Sequence, residues 1–408
     1  MTGRLPPVSI LAAAVLALCV VAGALASEAA DSVLERRLNR ALAVPQIDPS
    51  RSAAVAIDLA TGKILFSRNQ GRSLVPASNE KLAVTYAALV VLGPSFRIRT
   101  EVLGEGRLVG STWHGRLVLK GYGDPTLSTE DLRALAKRVR GAGISRVTGG
   151  VAADETFFDA RRTALGWKSY FLVNESPPLS ALAVNRARYR GRTTLRPALA
   201  AAIEFKQVLR GEGVTVQAKA SMRRASARAV PLATTLSPAL WWIVRFMDRQ
   251  SDNFTAELLL KHLGALYGRK GTTAAGAAVV TRILAADGVP LTGVRIVDGS
   301  GLSRLNRLTA RALISILESA WASPPLRRAF LGALPVAGKN GTLRRRMHRT
   351  PAFGKVRAKT GTTSQSSALS GFVEDRFAFA ILQNGNPVAT WWAQRAQDRF
   401  VTALAAAK

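Results

Sequence analysis

The sequence has little cysteine, little histidine and little acid. Its 408 residues include one Cys, three His and 26 Asp plus Glu. The single Cys19 excludes an intrachain disulfide framework and any multi-cysteine zinc or iron–sulfur site. His114, His262 and His348 are far apart and show no ligand spacing. No metal is therefore expected, and a Ser-His-Asp mechanism finds no support. Outside the N-terminus no apolar run is long enough to span a bilayer. There is no internal repeat and no sustained low-complexity tract. The shortage of acid stands against 57 Lys plus Arg, a formal net charge of +31, with Arg dominant because only 13 are Lys. That balance points to anionic surroundings: nucleic acid, an acidic membrane surface or an acidic wall polymer. No nucleic-acid-binding motif accompanies it, so nucleic acid is not an expected partner.

Hydrophobic residues make up 48% and charged residues 20%, which excludes global disorder. At about 150 residues per domain, the length suits two or three domains, or one large domain with an insert. Arg4 is the only charge before Glu28, and residues 9–26 read SILAAAVLALCVVAGALA. A basic start, an apolar middle and the small residues Ala24 and Ala26 predict a signal peptide over 1–26. A retained anchor is the alternative. Either reading places the protein outside the cytoplasm, in the periplasm or extracytoplasmic envelope. Cleavage after Ala26 would leave no cysteine in the mature chain.

Two β-rich runs flank Ala60-Thr61-Gly62 and predict a hairpin over 53–69. A helix then starts near Ser78 and runs to the breaker Gly93-Pro94. It is apolar nearly all round, so it is expected to be a buried central helix. From 96 to 232, strand-like runs such as GRLVLKG alternate with loops and one helix, TEDLRALAKRVRGAG, with Thr129 as its expected cap. The stretch RYRGRTTLRP carries four Arg in ten residues. This texture predicts a separate α/β insert. Helices return after Pro238, among them one expected to be capped by Thr309. The segment from Val356 reads as antiparallel strands, and a helix from Ala389 closes the chain. Strands at both ends predict that the terminal segments share one sheet.

Three short motifs occur in order: Ser78-Asn79-Glu80-Lys81, Ser251-Asp252-Asn253 and Lys359-Thr360-Gly361. Singly each is weak, since about one S-x-x-K is expected by chance in a chain of this composition. A plain helix cap at Ser78, a turn residue at Ser251 and a surface lysine at Lys359 are the bland alternatives. Together the motifs make the set shared by class A β-lactamases and penicillin-binding proteins. Their chemistry is coherent. Ser78 and Lys81 lie one turn apart at a helix start, whose dipole favours charge on a serine oxygen. A serine hydroxyl needs a base, and without a suitable histidine Lys81 is the candidate. It must be neutral, which burial and a second cation such as Lys359 would promote. Ser251 and Asn253 on a connection between helices can relay a proton and meet a substrate amide. Lys359-Thr360-Gly361, expected to start an edge strand, can pair with a peptide and hold a terminal carboxylate.

Beyond these motifs the sequence resembles the class C low-molecular-mass penicillin-binding proteins, the D-alanyl-D-alanine carboxypeptidase/endopeptidases. PASNEKLAVTYAALVVLGPSFRIRT, LVLKGYGDPTLS, IVDGSGLSRLNRLTA, LPVAGKNGTLRRRM and VRAKTGTTSQSSALSGF carry the resemblance across most of residues 45–400. It implies an α/β (α+β) fold: a serine DD-peptidase/β-lactamase-like transpeptidase domain over 27–95 and 233–408, with an inserted α/β domain over 96–232. A second insert found in larger relatives is expected to be missing.

The resemblance also implies roles. Ser78 is the nucleophile, Lys81 the base, Ser251 a proton relay and Asn253 a substrate-amide contact. Lys359 and Thr360 bind the carboxylate beside Gly361, and Thr362 joins Ser78 in the oxyanion hole. The implied partners are peptidoglycan stem peptides and, as covalent inhibitors, β-lactam antibiotics. No cofactor is implied. The basic surface is expected to meet anionic wall polymers or lipid headgroups. The alternatives are a serine β-lactamase or esterase on the same scaffold, or a non-catalytic basic wall-binding protein. One departure stands out. Related enzymes carry an aspartate shortly after a Gly-Trp pair, whereas Gly166-Trp167 here is followed only by Glu175 as the nearest acid.

Overall fold

The computed structural model describes residues 32–407. The expected signal peptide and Cys19 lie outside these residues. A first helix, α1, covers residues 32–42. Then come β1 (Ser52–Asp58), β2 (Ile64–Arg68) and α2 (Glu80–Leu92). Next are β3 (Arg99–Val109), β4 (Thr112–Gly121), α3 (Thr129–Gly141), β5 (Val151–Asp154), α4 (Pro197–Gly211) and β6 (Val230–Leu236). A helical run follows: α5 (Leu240–Gln250), α6 (Asn253–Tyr267), α7 (Thr273–Ala286), α8 (Ala310–Ala322) and α9 (Pro324–Ala333). The chain closes with β7 (Val356–Thr362), β8 (Ser366–Val373), β9 (Phe377–Asn384) and α10 (Thr390–Ala405). Among the described residues no helix is long and apolar enough to cross a membrane.

One antiparallel sheet has the order β7-β8-β9-β1-β2. β1 pairs with β9, Ser52 opposite Gln383 and Asp58 opposite Phe377, so the terminal segments do share a sheet. Side chains alternate across each strand. Ala53, Val55 and Ile57 face a core filled by α2 and α5–α8. Ala54 and Ala56 face a second core containing Leu38 of α1 and Phe400 of α10. Covered on both faces, β8 and β9 are buried at every residue. Helix α2 is central, as its all-round apolarity predicts, and residues 80–89 are buried without a break.

Residues 99–236 build a second sheet. β3 and β4 form an antiparallel hairpin, β5 runs parallel to β4, and β6 runs antiparallel to β3. Leu132, Leu135 and Val139 of α3, with Phe205 and Leu209 of α4, pack on one face. The cap of α3 is Ser128 rather than the expected Thr129. Ser128 accepts from the Asp131 N–H, and the Asp131 carboxylate accepts from the Ser128 N–H at 2.9 Å. That reciprocal pair satisfies two orphan donors at once. Thr129 Oγ1 instead donates to Glu204. Thr309 caps α8 as expected, accepting from the Ala312 N–H at 3.0 Å.

Loop segments beside the second sheet are joined to helix α6 by an apolar seam. Phe158, Leu179 and Ala181 pack with Phe254 and Leu258 of α6. Phe254 is the second residue of α6 and is fully buried. Phe254→Ala is expected to lower the unfolding free energy by about 3–5 kcal/mol, the usual cost of emptying an aromatic core site. Urea unfolding measures it. A loss below about 1 kcal/mol would put this seam outside the cooperative core.

Candidate active site

The site is assembled around a tight turn. Ser78 lies in a 3-10 turn, Ala77–Asn79, just ahead of α2. Ala77 is fully buried and held at φ +47°, a conformation that costs an L-residue free energy unless its surroundings enforce it. Two glycines from distant segments do so. A Cβ on Gly301 would lie 1.9 Å from the Ala77 carbonyl oxygen, and one on Gly361 would lie 2.8 Å from the Pro76 carbonyl and 3.1 Å from the Ser78 nitrogen. Only glycine permits that approach at either position. Asn79 Nδ2 ties the turn to β8 through Ser370 Oγ at 2.8 Å.

Lys81 is fully buried. Its Nζ donates to Ser78 Oγ at 3.1 Å, Asn253 Oδ1 at 2.8 Å and the Ser300 carbonyl at 2.6 Å. Three acceptors match the three protons of an ammonium group. Burial lowers its pKa to about 8, against the opposing pull of Asp298, Asp252, Asp248 and Glu257. The second cation expected to assist acts in the reverse direction. Burial, and then the charge of Lys81, bring Lys359 down to about 7, opposed by Asp248.

Beneath the two lysines lies a floor of buried acids. Glu257 accepts from the Gly299 and Ser300 N–H groups at 3.0 and 2.8 Å, which fixes the backbone just ahead of the carbonyl that receives Lys81. Asp298 accepts from the Gly301 and Ser303 N–H groups, both at 2.8 Å, and from Asn306 Nδ2 at 2.6 Å. Both carboxyl oxygens of Glu80 are buried with no hydrogen-bond partner among the described residues. Burial, then Asp298 and Glu257, push the Glu80 carboxyl well above its usual range. Burial and Asp298 push Glu257 up to about 8. Burial thus disfavours the ionised form of both groups. Asp248 accepts from Thr85 Oγ1 at 2.7 Å, and burial raises it to about 7 despite the lysines.

The other two motifs converge on this centre. Ser251 ends α5 in the left-handed region at φ +55°, and its Oγ accepts from Lys359 Nζ at 2.9 Å. Asp252 caps α6, accepting from the Thr255 N–H at 2.8 Å, and Asn253 begins that helix. Lys359 Nζ also donates to the Thr360 carbonyl at 2.8 Å. Thr360 Oγ1 donates to Thr342 Oγ1 at 2.7 Å, and Thr362 is exposed at the strand's end. The triplet lies at the C-terminal half of β7, not at its start as expected, because Val356–Ala358 already pair with β8. β7 is the edge strand, and segment 335–337 bonds its outer side as far as Ala358.

Several of these groups are absent from the motif reading. The Ser300 carbonyl and Asp298 belong to the DGSGLS block, so their signal was present without a role. Glu257 sits four residues after Asn253, and Thr342 lies in the GKNGTLRRRM block. The insert contributes as well. Trp167 Nε1 donates to Asp298 at 2.9 Å, and the Glu175 carbonyl accepts from Asn253 Nδ2 at 2.9 Å. Glu175 thus reaches the site through its backbone, while the residue itself is exposed. Arg186 pairs with Asp252 through both terminal nitrogens, at 3.1 and 2.5 Å. His262 is packed between Phe96, Phe157 and Phe158, its Nδ1 3.0 Å from the Tyr122 carbonyl, and burial lowers it to about 4. Among the described residues no cluster of His, Cys, Asp or Glu is arranged to hold a metal.

Comparison with known proteins fits this geometry. The family model described as D-Ala-D-Ala carboxypeptidase 3 (S13) matches residues 34–196 and 186–407. A D-alanyl-D-alanine carboxypeptidase of Actinomadura sp. (strain R39) is 33% identical, over 88% of this chain and 82% of that protein. A carboxypeptidase of Mycobacterium tuberculosis is 32% identical, over 84% of this chain and 79% of its own length. Penicillin binding protein 4 from Haemophilus influenzae, a solved structure, superposes with a TM-score of 0.79 at 21% identity, covering 92% of this chain and 98% of that one.

The buried setting of Lys81 has a direct readout. In lysine-labelled protein, its ε-carbon signal should titrate with a midpoint near pH 8, identified by its loss in Lys81→Met. A midpoint at the ordinary lysine value of about 10.4 would show that burial does not govern the group.

Proposed function

The chain belongs to the D-Ala-D-Ala carboxypeptidase 3 (S13) family, and on that premise we propose how its residues carry out serine DD-peptidase chemistry on peptidoglycan. Neutral Lys81 takes the Ser78 proton as Ser78 Oγ attacks the carbonyl of the penultimate D-alanine. The Ser78 and Thr362 N–H groups hold the developing oxyanion, a preorganised arrangement that avoids solvent reorganisation. Ser251, held by Lys359, passes a proton to the leaving amine. Lys359 and Thr360 receive the terminal carboxylate, and Gly361 lets the substrate backbone approach β7. Asn253 meets the substrate amide. Water then hydrolyses the acyl-enzyme, with no cofactor. D-alanyl cross-links present the same carbonyl, and β-lactams acylate the same serine.

The observation that carries this reading is the pair of serine–lysine contacts, Ser78–Lys81 at 3.1 Å and Ser251–Lys359 at 2.9 Å. The lysine order has a consequence. A carboxylate beside Lys359 favours its charged form, and a charged Lys359 disfavours charge on Lys81. Substrate binding would thus help to free the base. We further propose that residues 27–95 and 233–408 form the catalytic domain and 96–232 the insert, that the signal over 1–26 exports the chain, and that it works in the cell envelope, where its substrate lies. The long basic surface would hold it near anionic wall polymers or lipid headgroups.

A labelled penicillin should form a covalent adduct on Ser78 and release it slowly. No adduct on folded protein would sink the catalytic reading, and rapid turnover would favour a β-lactamase. Lys81→Arg is expected to keep the charge but lower acylation by about 10²–10⁴-fold, since arginine cannot release its proton. Only the neutral amine acts, so the parent acylation rate should rise with pH through about 8 and then level. A folded arginine variant within about threefold of the parent across pH 7–10 would refute proton abstraction by Lys81.

A further inference from the structure

Three arginines gather at one place that the peptidase chemistry does not use. A cavity of about 590 Å³ lies between α5 and α9, lined by Pro94, Trp241, Arg245, Arg249, Arg328 and Gly332 among others, with no acid in its wall. Trp241, Arg245 and Arg249 are spaced four residues apart along α5, which puts them in one row on one face. Arg328 comes from α9. None of the three arginines forms an ion pair among the described residues.

Arg249 is the most telling of them. One terminal nitrogen donates to the Gly332 carbonyl at 3.0 Å, while its Nε is buried with no partner. Burial and the nearby charges of Arg245 and Arg357 weaken its hold on its proton. Unpaired like charges gathered at one cavity are costly, and a buried donor without an acceptor adds to that cost. Two other cavities are lined by three arginines each, and both walls carry acid, Asp159 standing with Arg161, Arg282 and Arg295 in one of them. Around Arg133, Arg188 and Arg190 the wall includes Glu204 and Glu212, so acid offsets part of the positive charge there.

We propose that the α5–α9 cavity binds a phosphate-bearing ligand, at a site separate from Ser78. Arginine forks match tetrahedral phosphate oxygens with paired charge-assisted hydrogen bonds. Three cations suit a multiply charged group better than a single carboxylate. The volume exceeds that of one phosphate ion, and Trp241, 45% exposed at the wall beside Pro94, offers a flat apolar surface to the carbon skeleton that carries the phosphate. The site also borders the catalytic motifs in sequence: Arg249 precedes Ser251 by two residues, and Arg357 precedes Lys359 by two.

The test titrates the mature full-length chain with inorganic phosphate and with glycerol 3-phosphate, at constant ionic strength, by calorimetry and tryptophan fluorescence. Saturable one-to-one binding is expected. Arg245→Ala/Arg328→Ala, two exposed positions, should weaken it by about tenfold or more, the worth of a lost charge-assisted bond pair. Arg188→Ala/Arg190→Ala removes the same charge and should change it by less than about twofold, as for screened surface charges. Trp241→Phe should abolish the fluorescence response while calorimetric binding persists. The same variants on vesicles of phosphatidylglycerol and phosphatidylcholine distinguish the source. Arg245/Arg328-dependent retention on the anionic vesicles assigns a lipid headgroup, and its absence alongside phosphate binding assigns a soluble or polymeric phosphate. Equal losses in the two double variants, or no saturable phosphate binding by the parent, would overturn the proposal. Penicillin labelling of Ser78 in the Arg245→Ala/Arg328→Ala protein checks its fold and separates this outcome from the peptidase reading.

Discussion

The burial of Lys81 is the constraint on which the rest of the site depends. An ammonium group removed from water loses hydration that its neighbours must replace. Here three oxygen acceptors from three distant segments do so, and each has to be held in place by something else. Asn253 is fixed by the start of α6 and by the Glu175 carbonyl. The Ser300 carbonyl is fixed through the Gly301 N–H of the same peptide, which donates to Asp298. Ser78 is fixed by a turn wedged between two glycines. The acids near Lys81 would cancel its tendency to lose a proton if all were ionised. Burial raises Asp248 and Glu257, two of the four acids that pull on Lys81, so part of that negative charge is withheld near neutral pH. A base at about 8 is thus a balance between burial of the lysine and burial of its neighbours.

Much of the candidate site was legible in the sequence because it is written in short motifs with local causes. Ser78 and Lys81 sit one turn apart, and their contact follows from helix geometry alone. The hairpin, the central helix and the shared terminal sheet were likewise readable from periodicity. The supporting groups were not. Glu257 looks like any helix glutamate until the fold brings residues 299 and 300 against it. The Ser300 carbonyl has no side-chain signature at all. The expected cap at Thr129 failed for a related reason: Ser128 and Thr129 are both good caps, and the reciprocal bond with Asp131 decides between them. The place of Lys359 within its strand depended on where β8 begins to pair, which no local pattern records.

The insert is bound into the same arrangement. Arg186 grips the Asp252 cap, Trp167 donates to Asp298 and Glu175 presents its carbonyl to Asn253. The Phe254 seam lies directly beneath these polar contacts. A segment that reads in sequence as an appended domain therefore helps to hold the connection Ser251–Asn253. The missing aspartate after Gly166-Trp167 leaves this backbone framework untouched, since none of these contacts uses an acid at that position.

The pairing of β1 with β9 bears on how the chain reaches its native state. Ser52 finds its partner only when Gln383 has been made, so the central sheet cannot close while synthesis is in progress. Pairings so remote in sequence are slow to form because a long loop must close first. The early hairpin and helix α2 wait, without their cover, for strands encoded near the far end. On the proposed export, a chain that threads through a translocation channel would gain from such a delay, because premature closure of its largest core would jam the passage. The same delay leaves apolar segments unprotected for longer, and there the strong positive charge has a second use, keeping unfinished chains apart from one another.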